Sequence, residues 1–118
     1  NIKSHLQEYI IFIKMDLNQL IQKIYDRKKK LKQIQIVLLC LNYVKEHPEH
    51  LNRIGIGWID YSHFIFNCRI FAIFVNRIPN TINSYFRNHG FRCKRMTSEL
   101  REKYQDVVSF DTLYCYSG

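Results

Sequence analysis

Aspartate and glutamate are missing from residues 61 to 98 of this 118-residue chain, although ten acidic residues are spread over the rest of it. That stretch therefore offers no carboxylate for acid–base work or metal binding, and only His63 and His89 remain there as candidate bases. Cysteine is sparse, and Cys40, Cys68, Cys93 and Cys115 never approach a C-x-x-C spacing, so neither a zinc knuckle nor a compact disulfide framework is indicated. All four are expected as reduced thiols in or near the core. His47 and His50 form one close pair, but Pro48 separates them and no cysteine is near; a solvated turn is expected there rather than a metal site. No serine, histidine and aspartate fall in a catalytic order and no glycine-rich phosphate loop occurs, so neither an enzyme nor a cofactor is implied. A spanning helix needs an apolar run of about 18 residues, which is lacking, as is a signal-peptide pattern. With no initial methionine, the chain reads as a soluble fragment of an intracellular protein.

What is present is positive charge. The acid-free stretch carries Arg69, Arg77, Arg87, Arg92, Lys94 and Arg95, six of the formal net charges that sum to +8 over the chain. A field of one sign concentrates its counter-charge, so the partner is expected to be nucleic acid or an anionic membrane surface. A hydrophobic content of 47% suffices for one globular core without metals or cross-links.

Leu6, Ile10, Ile13, Leu17, Leu20 and Ile24 alternate by four and three, which predicts an amphipathic helix over residues 2 to 24. Its stripe is too short for a long coiled coil, so packing on the domain is favoured; dimerisation through it is the other arrangement. Arg27, Lys28, Lys29, Lys30 and Lys32 then place five cations in six residues. Next comes a helix apolar around much of its circumference, with Ile34, Ile36, Val37, Leu38, Leu39, Leu41 and Val44, ending before Pro48. Trp58 to Phe66 suits a strand or a strand plus turn. Asn67 is placed to cap a helix carrying Ile70, Phe71, Phe74 and Val75, and Arg77-Ile78-Pro79 opens another almost at once. Gly90 ends it. Phe91 to Arg95 and Val108 to Tyr116 alternate as strands of one hairpin, with residues 96 to 109 as its long tip and a helical turn near Glu99 to Tyr104.

Within the second of the paired helices, Ile78, Ile82, Tyr85 and His89 share one side with Phe86 at its edge, and Asn80, Asn83, Ser84 and Arg87 share the other. Asparagine can bond adenine N6 and N7 bidentately, arginine can do so to guanine O6 and N7, and serine can bond base or phosphate. The plainer alternative for Asn80 is a helix cap. The order helix, strand, helix, tight turn, polar-faced helix and basic hairpin is that of a winged helix-turn-helix, whose second paired helix enters the major groove. The expected fold is mainly α with a small β hairpin or sheet, α+β in class, carrying an extra N-terminal amphipathic helix. Residues 1–30 are the helical extension and 31–118 the winged-helix DNA-binding domain.

From about Lys32 to Arg95 the chain resembles the DNA-binding domain of the initiator-binding proteins of flagellated protists. The resemblance rests on Leu38-Leu39 and Leu41-Asn42-Tyr43-Val44, on Ile54-Gly55-Ile56-Gly57-Trp58-Ile59, on Phe64, and on Asn80-Thr81-Ile82-Asn83 with Phe86-Arg87 and Phe91. It implies sequence-selective binding of double-stranded promoter DNA at initiator-like elements, hence a nuclear transcription factor domain. On this chain the resemblance implies that Asn80, Asn83 and Arg87 are base or backbone contacts and that Arg27, Lys28, Lys29 and Lys30 meet phosphate or a neighbouring groove. Thr81, Ser84, Asn88, Arg69, Arg77, Arg92, Lys94 and Arg95 are expected to bind DNA with them. Regions beyond this fragment are expected to meet the transcription machinery. The family's cationic segment after Phe64 is here reduced to Arg69, its wing is shorter than residues 96–109, and the helix from Ile2 to Tyr25 finds no counterpart in it. The rival reading is a protein-interaction module that uses the N-terminal amphipathic helix and has only non-specific affinity for nucleic acid. Membrane-surface binding fits less well, because the basic residues do not lie along that helix's polar face.

Overall fold

The computed structural model describes residues 15–108 and 112–117. The first element among the described residues is helix α1 (Leu17–Ile24), opened by a reciprocal cap in which Asp16 accepts from the Gln19 amide and Gln19 accepts from the Asp16 amide. The single helix expected from residue 2 to 24 therefore does not run through Asp16, whose backbone is extended. The apolar period runs straight past Asp16, whereas its short side chain competes for the backbone and caps α1. The earlier part of that expected helix lies outside the described residues. Leu20 and Ile24 are buried in the main core, so the described part of the stripe packs on the body of the domain.

The central element is α2 (Gln33–Glu46), which buries Ile36, Val37, Leu39, Cys40, Leu41, Tyr43 and Val44. A 3-10 turn at Pro48–His50 and a single helical turn, α3 (Leu51–Ile54), lead through Gly55 into strand β1 (Ile56–Trp58). Gly55 has φ of 85°, and a Cβ there would stand 2.8 Å from the Phe71 amide nitrogen and 3.0 Å from the Asn67 carbonyl. Both conformation and close approach demand glycine. At Gly57 a Cβ would come within 2.8 Å of Leu51 and 3.0 Å of Val44, so β1 lies directly against α2.

The expected Trp58–Phe66 segment is strand plus turn: β1 pairs antiparallel with β2 (His63–Phe66). Then follow α4 (Cys68–Val75), α5 (Pro79–Asn88), β3 (Phe91–Arg95), a short α6 (Ser98–Lys103) and β4 (Leu113–Ser117). The strands form one antiparallel sheet in the order β1-β2-β4-β3. The basic hairpin is thus not a separate flap, because β4 joins it to β2. Phe64 and Phe66 face the main core and Ile65 the other side of the sheet, yet Ile65 is fully buried. Met96 and Val107, from the segment between β3 and β4, are buried as well and stand outside the main cluster with it. The expected long tip folds back instead of projecting.

Asn67 fixes this arrangement. It is 3% exposed. Its side-chain oxygen accepts from the Ile70 amide at 3.2 Å and caps α4, and its side-chain nitrogen donates to the Val107 carbonyl at 2.7 Å. Its backbone amide donates to the Gly55 carbonyl at 2.7 Å. Asn67→Ala removes a cap worth ~1 kcal/mol and leaves a buried carbonyl without this donor, at about 1–3 kcal/mol. The expected loss is ~2–4 kcal/mol in urea unfolding, and a change below ~0.5 kcal/mol would remove Asn67 as the organising residue.

Candidate nucleic-acid interface

Two buried side chains hold helix α5, with half-buried Tyr85 packed against the core beside them. Ile82 is fully buried and Phe86 is 2% exposed. The Phe86 ring meets Phe66 edge-on at 4.7 Å, Phe91 at 5.3 Å and Phe64 at 5.9 Å between centroids. Burying such a ring contributes roughly 1.5–3 kcal/mol, and each favourable ring pair about 0.5–1.5 kcal/mol more, so rotation of α5 about its axis is strongly opposed.

With Ile82 and Phe86 inward and about 100° between successive residues, Ser84 lies near the centre of the outward face and Asn80, Thr81, Arg87 and Asn88 lie around it. All five are exposed. Asn83 stands at the flank and is half-buried. Two members of the expected inward face do not belong to it: Ile78 is 68% exposed, and His89 is exposed. Ile78 is the N-cap and His89 the C-cap of α5, both outside helical geometry, so the helical period does not govern where they point. Asn80 is not the cap, because Ile78 holds that position and Pro79 follows it.

The turn before α5 is as short as expected. α4 ends at Asn76 in the left-handed conformation, with φ of 55°, and the Arg77 amide donates to the Ala72 carbonyl at 2.9 Å. Asparagine is among the few residues that adopt this geometry readily. An open cleft of about 380 Å³ beside the turn is lined by Ile24, Tyr25, Asp26, Arg27, Lys30, Val75, Asn76 and Arg77. It brings the basic run and the helix-helix turn together, a proximity that linear order did not disclose. Three bonds organise it. The Tyr25 hydroxyl donates to the Phe74 carbonyl at 2.6 Å, and the Asp26 carboxylate accepts from the Lys28 and Lys29 amides, turning the run back on itself. Arg27, Lys28, Lys29 and Lys30 are all exposed, as are Arg69 and Arg77.

On β3 the alternation holds. Phe91 packs on the core, Cys93 meets Cys115 with their sulfurs 2.7 Å apart, and Arg92 and Lys94 occupy the opposite face opposite Tyr116 and Tyr114. Arg92, Lys94 and Arg95 are exposed, and the Lys94 ammonium lies 5.5 Å from the centre of the Tyr116 ring. Cys40, Cys68 and Cys115 are buried, but Cys93 is exposed, because β3 is the sheet's edge strand. A hydrogen bond from the Cys115 thiol lowers the Cys93 pKa, whereas burial pushes the Cys40 thiol up to about 12.

Two histidine clusters are structural. The Tyr43 hydroxyl and His50 Nδ1 are 2.7 Å apart, and His47 Nε2 lies 3.0 Å from the Met15 carbonyl, so the expected solvated turn is instead partly buried and bonded. At the β1–β2 turn, Asp60, Ser62 and His63 converge, a grouping not foreseen from residue order. The Asp60 carboxylate and the Ser62 hydroxyl both approach Nδ1 of His63, at 2.8 and 2.9 Å, whereas a serine triad needs them on opposite ring nitrogens. The cluster closes the turn. Among the described residues no group of three or more potential metal ligands occurs, and no helix is long and apolar enough to cross a membrane.

The family model described as the transcription-initiator DNA-binding domain, IBD, matches residues 4–110. The chain belongs to this family. The match begins well before Lys32, so the region of the N-terminal helix does have a counterpart in the IBD family, contrary to the narrower resemblance drawn from motifs alone. Among solved structures, the chain is similar to the initiator-binding domain of T. vaginalis IBP39, crystallised bound to the alpha-SCS Inr element. Identity is 15%, the TM-score is 0.61, and the alignment covers 92% of this chain and 88% of that one. At that identity the likeness establishes the fold. No curated protein matches the chain.

The Asp60 turn generates a pH prediction. The Ser62 amide foremost, and then the His63 side chain, hold the Asp60 carboxyl down at about 2. Its pKa in the unfolded chain is about 3.9, so the stabilisation is complete above that value and is lost as pH falls toward 2. Asp60 is well exposed, so solvent keeps the effect small. Asp60→Asn should flatten the decline of the urea midpoint between pH 4 and pH 2; parallel declines in both proteins would show that the turn does not rely on the ionised group.

Proposed function

We propose that this IBD-family chain reads a short initiator-like promoter element in double-stranded DNA, with α5 in the major groove. The exposed amide, hydroxyl and guanidinium groups of Asn80, Thr81, Ser84, Arg87 and Asn88, with Asn83 at the flank, meet base edges or nearby phosphates. Arg27 to Lys30, Arg69 and Arg77 meet backbone on one side of α5, and Arg92, Lys94 and Arg95 on the other, in the manner of a wing. The observation that carries this reading is the burial of Ile82 and Phe86, which turns the polar face of α5 outward within a sequence stretch free of carboxylates. Family membership and the DNA-bound state of the similar T. vaginalis domain support it. The work is nuclear and non-catalytic on this reading. The rival protein-interaction module is less favoured, since Leu20 and Ile24, in the described part of the amphipathic stripe, are already in the core.

Gel-shift titration against salt tests the electrostatic half. The logarithm of the affinity should fall against the logarithm of salt with a slope of about −0.9 for each phosphate neutralised, so a slope steeper than about −4 is expected. A slope near zero contradicts the assignment of both basic segments. Competition on mutated sites tests the reading half. Arg87→Ala and Asn83→Ala should each relax discrimination at one base pair by roughly 1–3 kcal/mol, and Lys29→Ala should weaken all sequences alike. Uniform weakening by Asn83→Ala would assign that residue to the scaffold, as its half-buried position also allows.

A further inference from the structure

Ile78 violates two local rules at once. Isoleucine is among the poorest N-cap residues, because it has no oxygen to accept from the first amides of the helix, and Ile78 caps α5 without any side-chain bond. Its apolar side chain is also 68% exposed, so the core gains little from it. A serine, threonine, aspartate or asparagine there would improve both the helix start and the surface. Positions where a sequence departs from local preference without a folding gain are those where function is expected.

The surroundings define the ligand. Arg77 precedes Ile78, Asn80 and Thr81 follow within one turn, and all three are exposed. No Asp or Glu occurs from Tyr61 to Ser98. In a helix-turn-helix the residues at the start of the second helix reach base edges. Along the major groove the one apolar group a base pair presents is the C5 methyl of thymine. We propose that Ile78 is a specificity residue that packs against a thymine methyl group in the bound site. This deepens the major-groove reading given above and rests on it. Asparagine and arginine would sort adenine and guanine, and Ile78 would add a preference for thymine beside them.

The test starts from duplexes that the wild-type chain selects from a random pool. Each thymine is replaced in turn by deoxyuridine, which removes only the C5 methyl, and affinities of wild type, Ile78→Ala and Ile78→Val are compared by competition. One methyl corresponds to roughly a four-fold change. At one position deoxyuridine should weaken wild type and Ile78→Val by roughly three- to ten-fold and leave Ile78→Ala unchanged. Thermal melts followed by circular dichroism check that the variants fold, as the exposure of Ile78 predicts. Selective binding with the same deoxyuridine profile in wild type and Ile78→Ala overturns this inference and leaves the major-groove reading intact, as does a selected site without thymine. Failure to select any sequence overturns both. Ile73 is also exposed, at 81%. If sedimentation shows self-association that Ile73→Ala and Ile78→Ala both abolish, with the deoxyuridine profile unchanged, the pair is a protein interface and the thymine assignment falls.

Discussion

One asparagine, through its side chain and its backbone amide, carries the geometry of the domain. Asn67 stands where β2 ends and α4 begins, and it bonds to three separate parts of the chain: the glycine that leads into β1, the first turn of α4, and the segment between β3 and β4. A buried amide is costly unless its donors and acceptors are matched, so these bonds specify one arrangement rather than merely adding stability. Gly55 makes the arrangement sterically possible, since any larger residue would push apart the backbones that Asn67 draws together. The sheet, the first paired helix and the connector are set by this node, and α5 inherits its position from them.

The orientation of α5 depends on aromatic packing. Phe86 lies among three other phenylalanine rings, two from β2 and one from the start of β3. Because only Ile82 and Phe86 of this ten-residue helix are buried, with Tyr85 packed partly against the core, the face centred on Ser84 is left to solvent. A broader apolar face would have given a stabler helix with fewer groups to present. The Asn76 and Pro79 junction adds to this economy: a left-handed asparagine closes one helix, and a proline whose missing amide costs nothing opens the next.

Much of this was legible from residue types. Asn67 as a cap, Pro79 as a start, the encircling apolar pattern of α2 and the alternation of β3 all follow from local chemistry and are found in the structure. The departures share a physical origin. Asp16, Ile78 and His89 were placed by helical periodicity but occupy caps, where the period stops. The fold-back of residues 96 to 108 rests on tertiary contacts, among them the bond between Asn67 and Val107, and no sequence pattern marks a partner 40 positions away. The cleft that gathers Arg27, Lys30 and Arg77 and the convergence of Asp60, Ser62 and His63 are likewise products of tertiary placement. Cys93 was expected among core thiols, but an edge strand leaves its sulfur accessible even as it meets Cys115.

The sheet joins β3 to β2 through β4, and the connector is tied down at Asn67. The cations of β3 and the outward groups of α5 are therefore mounted on one frame, like the jaws of a caliper with its screw tightened. On the proposed reading, such a frame measures a fixed interval along the DNA it meets. Adjustment to a site of different groove width falls to the duplex, whose stiffness varies from one base step to the next. Selectivity can then extend to steps that no side chain touches.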